Sequence, residues 1–310
     1  MMFKNSFKYY KSRKPFPDLK DVIDLNNPKC SRVIGFRGKL LNTETEHQVG
    51  LKPVRDWKVF EFVDIPGLII IKNPFNSRAQ RYWIIQALKY YSRKPSKLNL
   101  DAHDLLKEDE LWWDVCFGQS KRAKQLIPKL RWATLGYHHN WETKLYSETN
   151  KTEMPANLSL LASVLAQSLG YTNFKAEAAI VNYYRMNSTL GGHVDQSEID
   201  TDAPLISISF GQTAIFLIGG LTQDEEADAM YLQSGDVLIM SGSSRLRYHG
   251  VPKILPVNNA PWDDEEANDN NQYCKWDQED WNKAKTYISE ARVNMTVRQA
   301  ASNFHKGYAD

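Results

Sequence analysis

After residue 175 the chain becomes a succession of short β-rich segments: Ala178–Tyr184, Leu205–Phe210, Ala214–Ile218, Met230–Leu232, Val237–Met240 and Arg292–Arg298. Turn signals such as Gly191-Gly192, Gly219-Gly220 and Ser234-Gly235-Asp236 separate them. Branched and aromatic residues fit a pleated strand, whereas glycine and aspartate admit tight reversals. Many short strands with few helices between them argue for a sandwich, barrel or jelly roll.

The first half reads differently. Asn76–Tyr91 is expected to be a helix, with Asn76 or Ser77 as N-cap and Trp83, Ile84, Ala87, Leu88 and Tyr91 on one face. Leu158–Leu169 reads as a second helix, ended by Gly170. Residues 100–150 are mixed, and Leu135–Trp141 looks like a loop and hairpin. Residues 1–60 look irregular and Pro-punctuated. The expected class is α+β, with a boundary near 60 after an N-terminal extension, a helical supporting region over 61–165, and a β core over 166–303. An acidic insertion at about 258–283 would be exposed between two strands.

No uninterrupted apolar run approaches the roughly 20 residues of a membrane span; Gly67–Ile71 is strand-sized. No membrane association is expected, and nothing suggests an obligate protein partner. Cys30, Cys116 and Cys274 are far apart and odd in number, which fits buried or incidental thiols in a reducing compartment. The start is basic and free of acids through Pro15. A mitochondrial address is conceivable, a solvated tail commoner.

The net charge of +2 hides segregation. Lys72–Lys97 holds seven Lys/Arg and no acid, Gly118–Arg131 five more, and Pro261–Trp281 eight acids against Lys275 alone. The first tract is interleaved with Tyr82, Trp83, Tyr90 and Tyr91, a mixture suited to phosphate contact and base stacking. A solvated face remains the commoner meaning of such a run.

His193-Val194-Asp195 places an imidazole and a carboxylate on one face of an extended segment. His249, in Arg247-Tyr248-His249-Gly250, follows the strand Val237–Met240. Two histidines and one carboxylate make the facial triad of non-haem Fe(II) enzymes. His-x-Asp alone is a weak signal, and His138-His139 read as loop or surface histidines because adjacent strand residues diverge. Arg292–Arg298 alternates with period two: Arg292, Asn294, Thr296 and Arg298 on one face, Val293, Met295 and Val297 on the other. Two planar guanidinium forks suit a dicarboxylate. Asn182 and Tyr184 share a face of a second strand. Beside an open iron, a clamp of that size implies 2-oxoglutarate, chelated to the metal through its 1-carboxylate and keto oxygen.

Taken in order, Ile180–Arg185, His193-Val194-Asp195, Pro204–Phe210, Ala214-Ile215-Phe216, Gly219-Gly220-Leu221, Ser234-Gly235-Asp236, Ser244–Gly250 and Arg292–Gln299 resemble the AlkB nucleic-acid dioxygenases. Arg131–Tyr137 and the N-terminal extension make the chain look most like the AlkB homologue 1 branch. The resemblance implies a double-stranded β-helix (jelly-roll) core under a nucleotide-recognition lid. It carries Fe(II) to His193, Asp195 and His249, and 2-oxoglutarate to Asn182, Tyr184, Arg292, Asn294 and Arg298. Arg292 should hold the distal carboxylate, with Arg298 and Asn182 nearer the metal-bound end. Bacterial-type members often place an acid two residues beyond the metal aspartate; here Ser197 stands there, with Glu198 next.

The expected activity is oxidation, by O2 with Fe(II) and 2-oxoglutarate, of methylated bases in tRNA and DNA, releasing succinate, CO2 and, from N-methyl groups, formaldehyde. The target base must leave its stack to reach the iron. Tyr137, Trp141 and Tyr146 are candidates for stacking on it, Ser197 for facing it, and Arg245 with the basic helix 76–94 for phosphate contact. The resemblance implies residence in the nucleus and mitochondrion. The rivals are a dioxygenase of methylated protein side chains, such as histone lysine, and a non-catalytic nucleic-acid-binding module on the same fold.

Overall fold

The computed structural model describes residues 1–118, 121–195, 203–264 and 272–300. In chain order the helices and strands are α1 (Met2–Lys11), β1 (Val33–Gly35), β2 (Lys58–Phe62), β3 (Ile65–Lys72), α2 (Ser77–Ile85), β4 (Lys97–Leu98), α3 (Trp112–Cys116), α4 (Lys121–Leu126) and β5 (Trp132–Gly136). They continue with α5 (Ala156–Ser168), β6 (Ala178–Arg185), β7 (Leu190–His193), β8 (Leu205–Gly211), β9 (Thr213–Ile218), β10 (Asp228–Leu232), β11 (Val237–Met240), β12 (His249–Leu255), α6 (Gln278–Ile288) and β13 (Ala291–Arg298). The described strands form a major sheet, β1-β2-β3-β11-β8-β13-β6-β5-β4, and a minor sheet, β10-β9-β12-β7. This fits the α+β class and, of the alternatives the short strands left open, the jelly roll that the family resemblance implied.

Alternation along the central strands divides two apolar layers. Val293, Met295 and Val297 of β13, with Ile69, Ile71, Val237 and Ile239, face the helices, where they join Trp83, Ile84, Leu88, Leu161, Leu165 and Ile288. Leu68, Ile70, Leu238 and Met240 face the minor sheet and meet Ala214, Phe216, Val251 and Ile254. Burying one such side chain contributes about 1.5–3 kcal/mol, and the stacked strands repeat it many times. On β13 the inward positions are Arg292, Asn294, Thr296 and Arg298, all buried. Polar groups occupy a stretch of this interface that apolar side chains fill elsewhere, so the stretch is built for a polar occupant.

Asn76 does cap α2, its side chain accepting from the Ala79 amide at 2.7 Å. The helix continues beyond Ile85 as a π turn over Gln86–Tyr90. The end of α5 follows from Gly170 at φ +93°, a conformation that costs glycine no steric strain.

Two regions depart from expectation. Residues 1–60 contribute a helix and two strands of the major sheet, and Phe3, Tyr10 and Val22 pack with Ile215 and Leu217 on the outer face of the minor sheet. The described parts of the acidic insertion pack onto the helical layer, with Trp262, Cys274 and Trp281 buried. Arg81 of α2 donates to the Trp262 and Asp264 carbonyls at 2.5 and 3.3 Å, and Lys89 pairs with Asp280 at 2.6 Å. Arg78 lies over the Trp276 ring. Arg78, Arg81 and Lys89 are therefore engaged inside the molecule, Lys89 by an opposite charge. No helix among the described residues is long and apolar enough to cross a membrane.

Candidate active site

The register of two strand pairs assembles the site. His249 opens β12 and pairs directly with His193 at the end of β7, while on the major sheet Asn294 pairs with Asn182 and Arg292 with Tyr184. Ligand atoms of His193, Asp195 and His249 all lie within 4.8 Å of one another, close enough to hold one ion.

Backbone carbonyls orient both rings. His193 Nδ1 lies 2.9 Å from the Gly191 oxygen and His249 Nδ1 3.1 Å from the Arg247 oxygen. A carbonyl only accepts, so Nδ1 carries the proton in each ring and Nε2 keeps its lone pair toward the centre. The Asp195 carboxylate spans the gap, with Oδ2 3.5 Å from His249 Nε2 and Oδ1 3.4 Å from Arg298 Nη1. Burial alone would push this carboxyl up. The Arg298 guanidinium outweighs it and holds the carboxyl well below the usual range. Burial lowers the His193 pKa and disfavours its charged form. Neutral imidazoles and an ionised carboxylate are the donor set a divalent iron takes.

These groups border a cavity of about 780 Å³ whose walls include Asn182, Tyr184, Arg292, Asn294 and Arg298. Arg292 is 2% exposed. It donates to Ser209 Oγ at 2.6 Å and to the Leu232 and Gln212 carbonyls at 3.1 and 3.4 Å, and its Nε has no partner among the described residues. Burial lowers its pKa to about 10. A buried guanidinium facing a cavity with only neutral acceptors around it fits an anion supplied by a ligand. Six residues separate it from Arg298, about 20 Å along the strand, so the two arginines stand at different ends of the cavity. Asn294 donates to Ser207 Oγ at 2.8 Å.

The outer residues sort differently. Trp141 is 44% exposed and lines the cavity mouth. Tyr137 and Tyr146 are instead buried in a small cluster with Ala178 and Ala300, which corrects their assignment as stacking surfaces. Arg245 is 1% exposed and donates to the Ala203 carbonyl at 2.9 Å, so it cannot meet a phosphate. His138 is likewise no surface residue: it is 1% exposed, with Thr134 and Thr152 hydroxyls at 2.8 and 3.1 Å from its two ring nitrogens. Ser197 and Glu198 lie outside the described residues.

Sequence reasoning missed His139, Lys144 and Leu145, which line the mouth beside Trp141, and the two serines of β8. The serines had a signal. Ser207 and Ser209 are polar positions two apart in the otherwise apolar Leu205–Phe210.

Residues 67–298 match the family model described as the 2OG-Fe(II) oxygenase superfamily. The chain is 41% identical to the nucleic acid dioxygenase ALKBH1 of Mus musculus, over 96% of this chain and 83% of that one. It is 35% identical to the tRNA demethylase abh1 of Schizosaccharomyces pombe, over 96% and 95%. With the DNA N(6)-methyladenine demethylase ALKBH1A of Arabidopsis thaliana it shares 29% identity over 93% and 89%.

Proposed function

The chain belongs to the 2OG-Fe(II) oxygenase superfamily and to its AlkB family of nucleic acid dioxygenases, and from that premise we propose that it oxidises methyl groups on bases of tRNA and DNA. Fe(II), 2-oxoglutarate and O2 together supply the oxidation of a C–H bond, with release of CO2 and succinate.

In this reading His193, His249 and Asp195 hold the metal, each imidazole kept in the ligating tautomer by its own backbone carbonyl. Arg292, steadied by Ser209, takes the distal carboxylate of 2-oxoglutarate. Arg298 beside Asp195, with Asn182, receives the metal-proximal end. Apolar walls from Leu205, Phe216, Leu238 and Met240 keep the oxidising centre apart from bulk water. Trp141 and Lys144 at the mouth suit an extruded base and its phosphate. Hydroxylation of an N-methyl group gives a hemiaminal that collapses to formaldehyde and the unmodified base.

The observation that carries the reading is that the metal triad and the buried Arg292 guanidinium, which among the described residues bonds only neutral acceptors, open into one cavity. Among the described lining residues Asp195 is the one carboxylate, which favours a polyanionic substrate over a cationic histone tail. The test is nucleoside mass spectrometry of methylated tRNA and DNA incubated with the protein, Fe(II), 2-oxoglutarate and O2. Loss of a methylated nucleoside with matching succinate is expected. Turnover confined to methylated histone peptides would overturn the substrate class.

A further inference from the structure

We infer that Phe3 of α1 is a positioning residue for the metal centre, fixing both histidines from behind through the glycines next to them. The inference rests on His193, Asp195 and His249 being the metal ligands. Phe3 is 3% exposed and sits on the outer face of the minor sheet, opposite the cavity. A Cβ on Gly192 would lie 2.3 Å from Phe3 Cε1, and one on Gly219 2.7 Å from Phe3 Cδ2. The Phe3 and Tyr248 rings are 6.1 Å apart. Gly192 precedes His193, and Tyr248 precedes His249. Gly219 follows Ile218, the β9 partner of His249, and its amide donates to the Tyr248 carbonyl at 2.7 Å. A single aromatic ring thus underlies the backbone on which both imidazoles stand.

That backbone needs an external brace. β7 is the edge strand of the minor sheet, four residues long with Gly191 and Gly192 at its centre. Its register with β12 is irregular between His249 and Val251. Two successive glycines leave the largest conformational freedom of any dipeptide, and a short edge strand has hydrogen bonds on one side only. Glycine at 192 and 219 lets the ring approach the backbone closely, and the contact removes the freedom that the glycines introduce.

The experiment titrates the metal-free full chain with Mn(II), following the free ion by electron paramagnetic resonance. Phe3→Ala should weaken Mn(II) binding by about tenfold or more, the scale on which groups that orient metal ligands act. Phe3→Leu, which refills much of the space, should recover most of it. Tyr10→Ala, buried in the same cluster on the same helix, should lower the melting temperature yet keep the affinity within about twofold. A folded Phe3→Ala that binds Mn(II) like the parent, or a Tyr10→Ala loss as large as that of Phe3→Ala, overturns the inference. Should Phe3→Ala not fold, Gly192→Ala presses on the ring from the other side; an unchanged affinity there also overturns it. A parent chain that fails to bind Mn(II) removes the ligand assignment and this inference together. A parent that binds, with indifferent variants, removes only the role of Phe3.

Discussion

Replacing Arg292 by methionine separates binding from folding at one position. The guanidinium is 2% exposed, its acceptors are two carbonyls and a hydroxyl, and no carboxylate among the described residues lies within 4 Å. Methionine is flexible, of similar length and uncharged, so the metal-free fold should be as stable as the parent or more so, because a poorly compensated charge has left the interior. Binding should suffer. Each charged hydrogen bond to a carboxylate is worth about 1.5–3 kcal/mol, so losing even one raises the 2-oxoglutarate KM by about 10- to 150-fold. Because the distal carboxylate does not react, kcat at saturation should fall much less than kcat/KM. Succinate formation against 2-oxoglutarate concentration gives both constants. Thermal unfolding with Mn(II) and 2-oxoglutarate gives an independent reading, where every tenfold loss of affinity removes about 1.4 kcal/mol of ligand stabilisation. A strongly destabilised variant whose KM is unchanged would show that Arg292 serves the sheet and not the co-substrate.

His193→Ala and Asp195→Ala should abolish base oxidation while the far-ultraviolet circular dichroism stays that of the parent. Trp141→Ala should raise the Kd for a single-stranded methylated oligonucleotide by about 1–3 kcal/mol per lost stack, with the KM for 2-oxoglutarate unmoved. Arg245→Ala should lower the unfolding free energy by about 1–3 kcal/mol through the lost buried bond to the Ala203 carbonyl, and leave the salt dependence of RNA binding as it was. Burial, then Lys97, lowers the His138 pKa to about 4. The folded state therefore resists a proton that the unfolded chain accepts near its ordinary 6.5, so stability is lost as pH falls from 6.5 toward 4, by at most about 3 kcal/mol. His138→Gln should flatten that slope in urea denaturation measured between those pH values.

The readable parts of this molecule were those with a local signature. β13 declared itself because its two faces differ, polar toward the cavity and apolar toward the helices. β8 carries the same information in Ser207 and Ser209, but both faces of the strand are buried and the run reads as a plain core strand. His193 and Asp195 are two residues apart, whereas His249 joins them through strand pairing across 56 positions; the triad rule named it as third ligand, but the pairing that brings it there has no local signature. β1 and β2 escaped notice because strands of three and five residues owe their conformation to partners and hardly at all to their own pattern. The basic and acidic tracts were plain as composition. Their contact through the Lys89–Asp280 pair and the Arg81 bonds to backbone carbonyls was not, since a charge run does not name its partner.

The direct pairing of His249 with His193 ties chemistry to correct assembly. A slip of one residue between β7 and β12 turns one imidazole to the opposite face and leaves the ion with an incomplete coordination sphere. Correct pairing of β7 with β12 is therefore a precondition for the two imidazoles to share one ion, so whatever holds that register also holds the metal site.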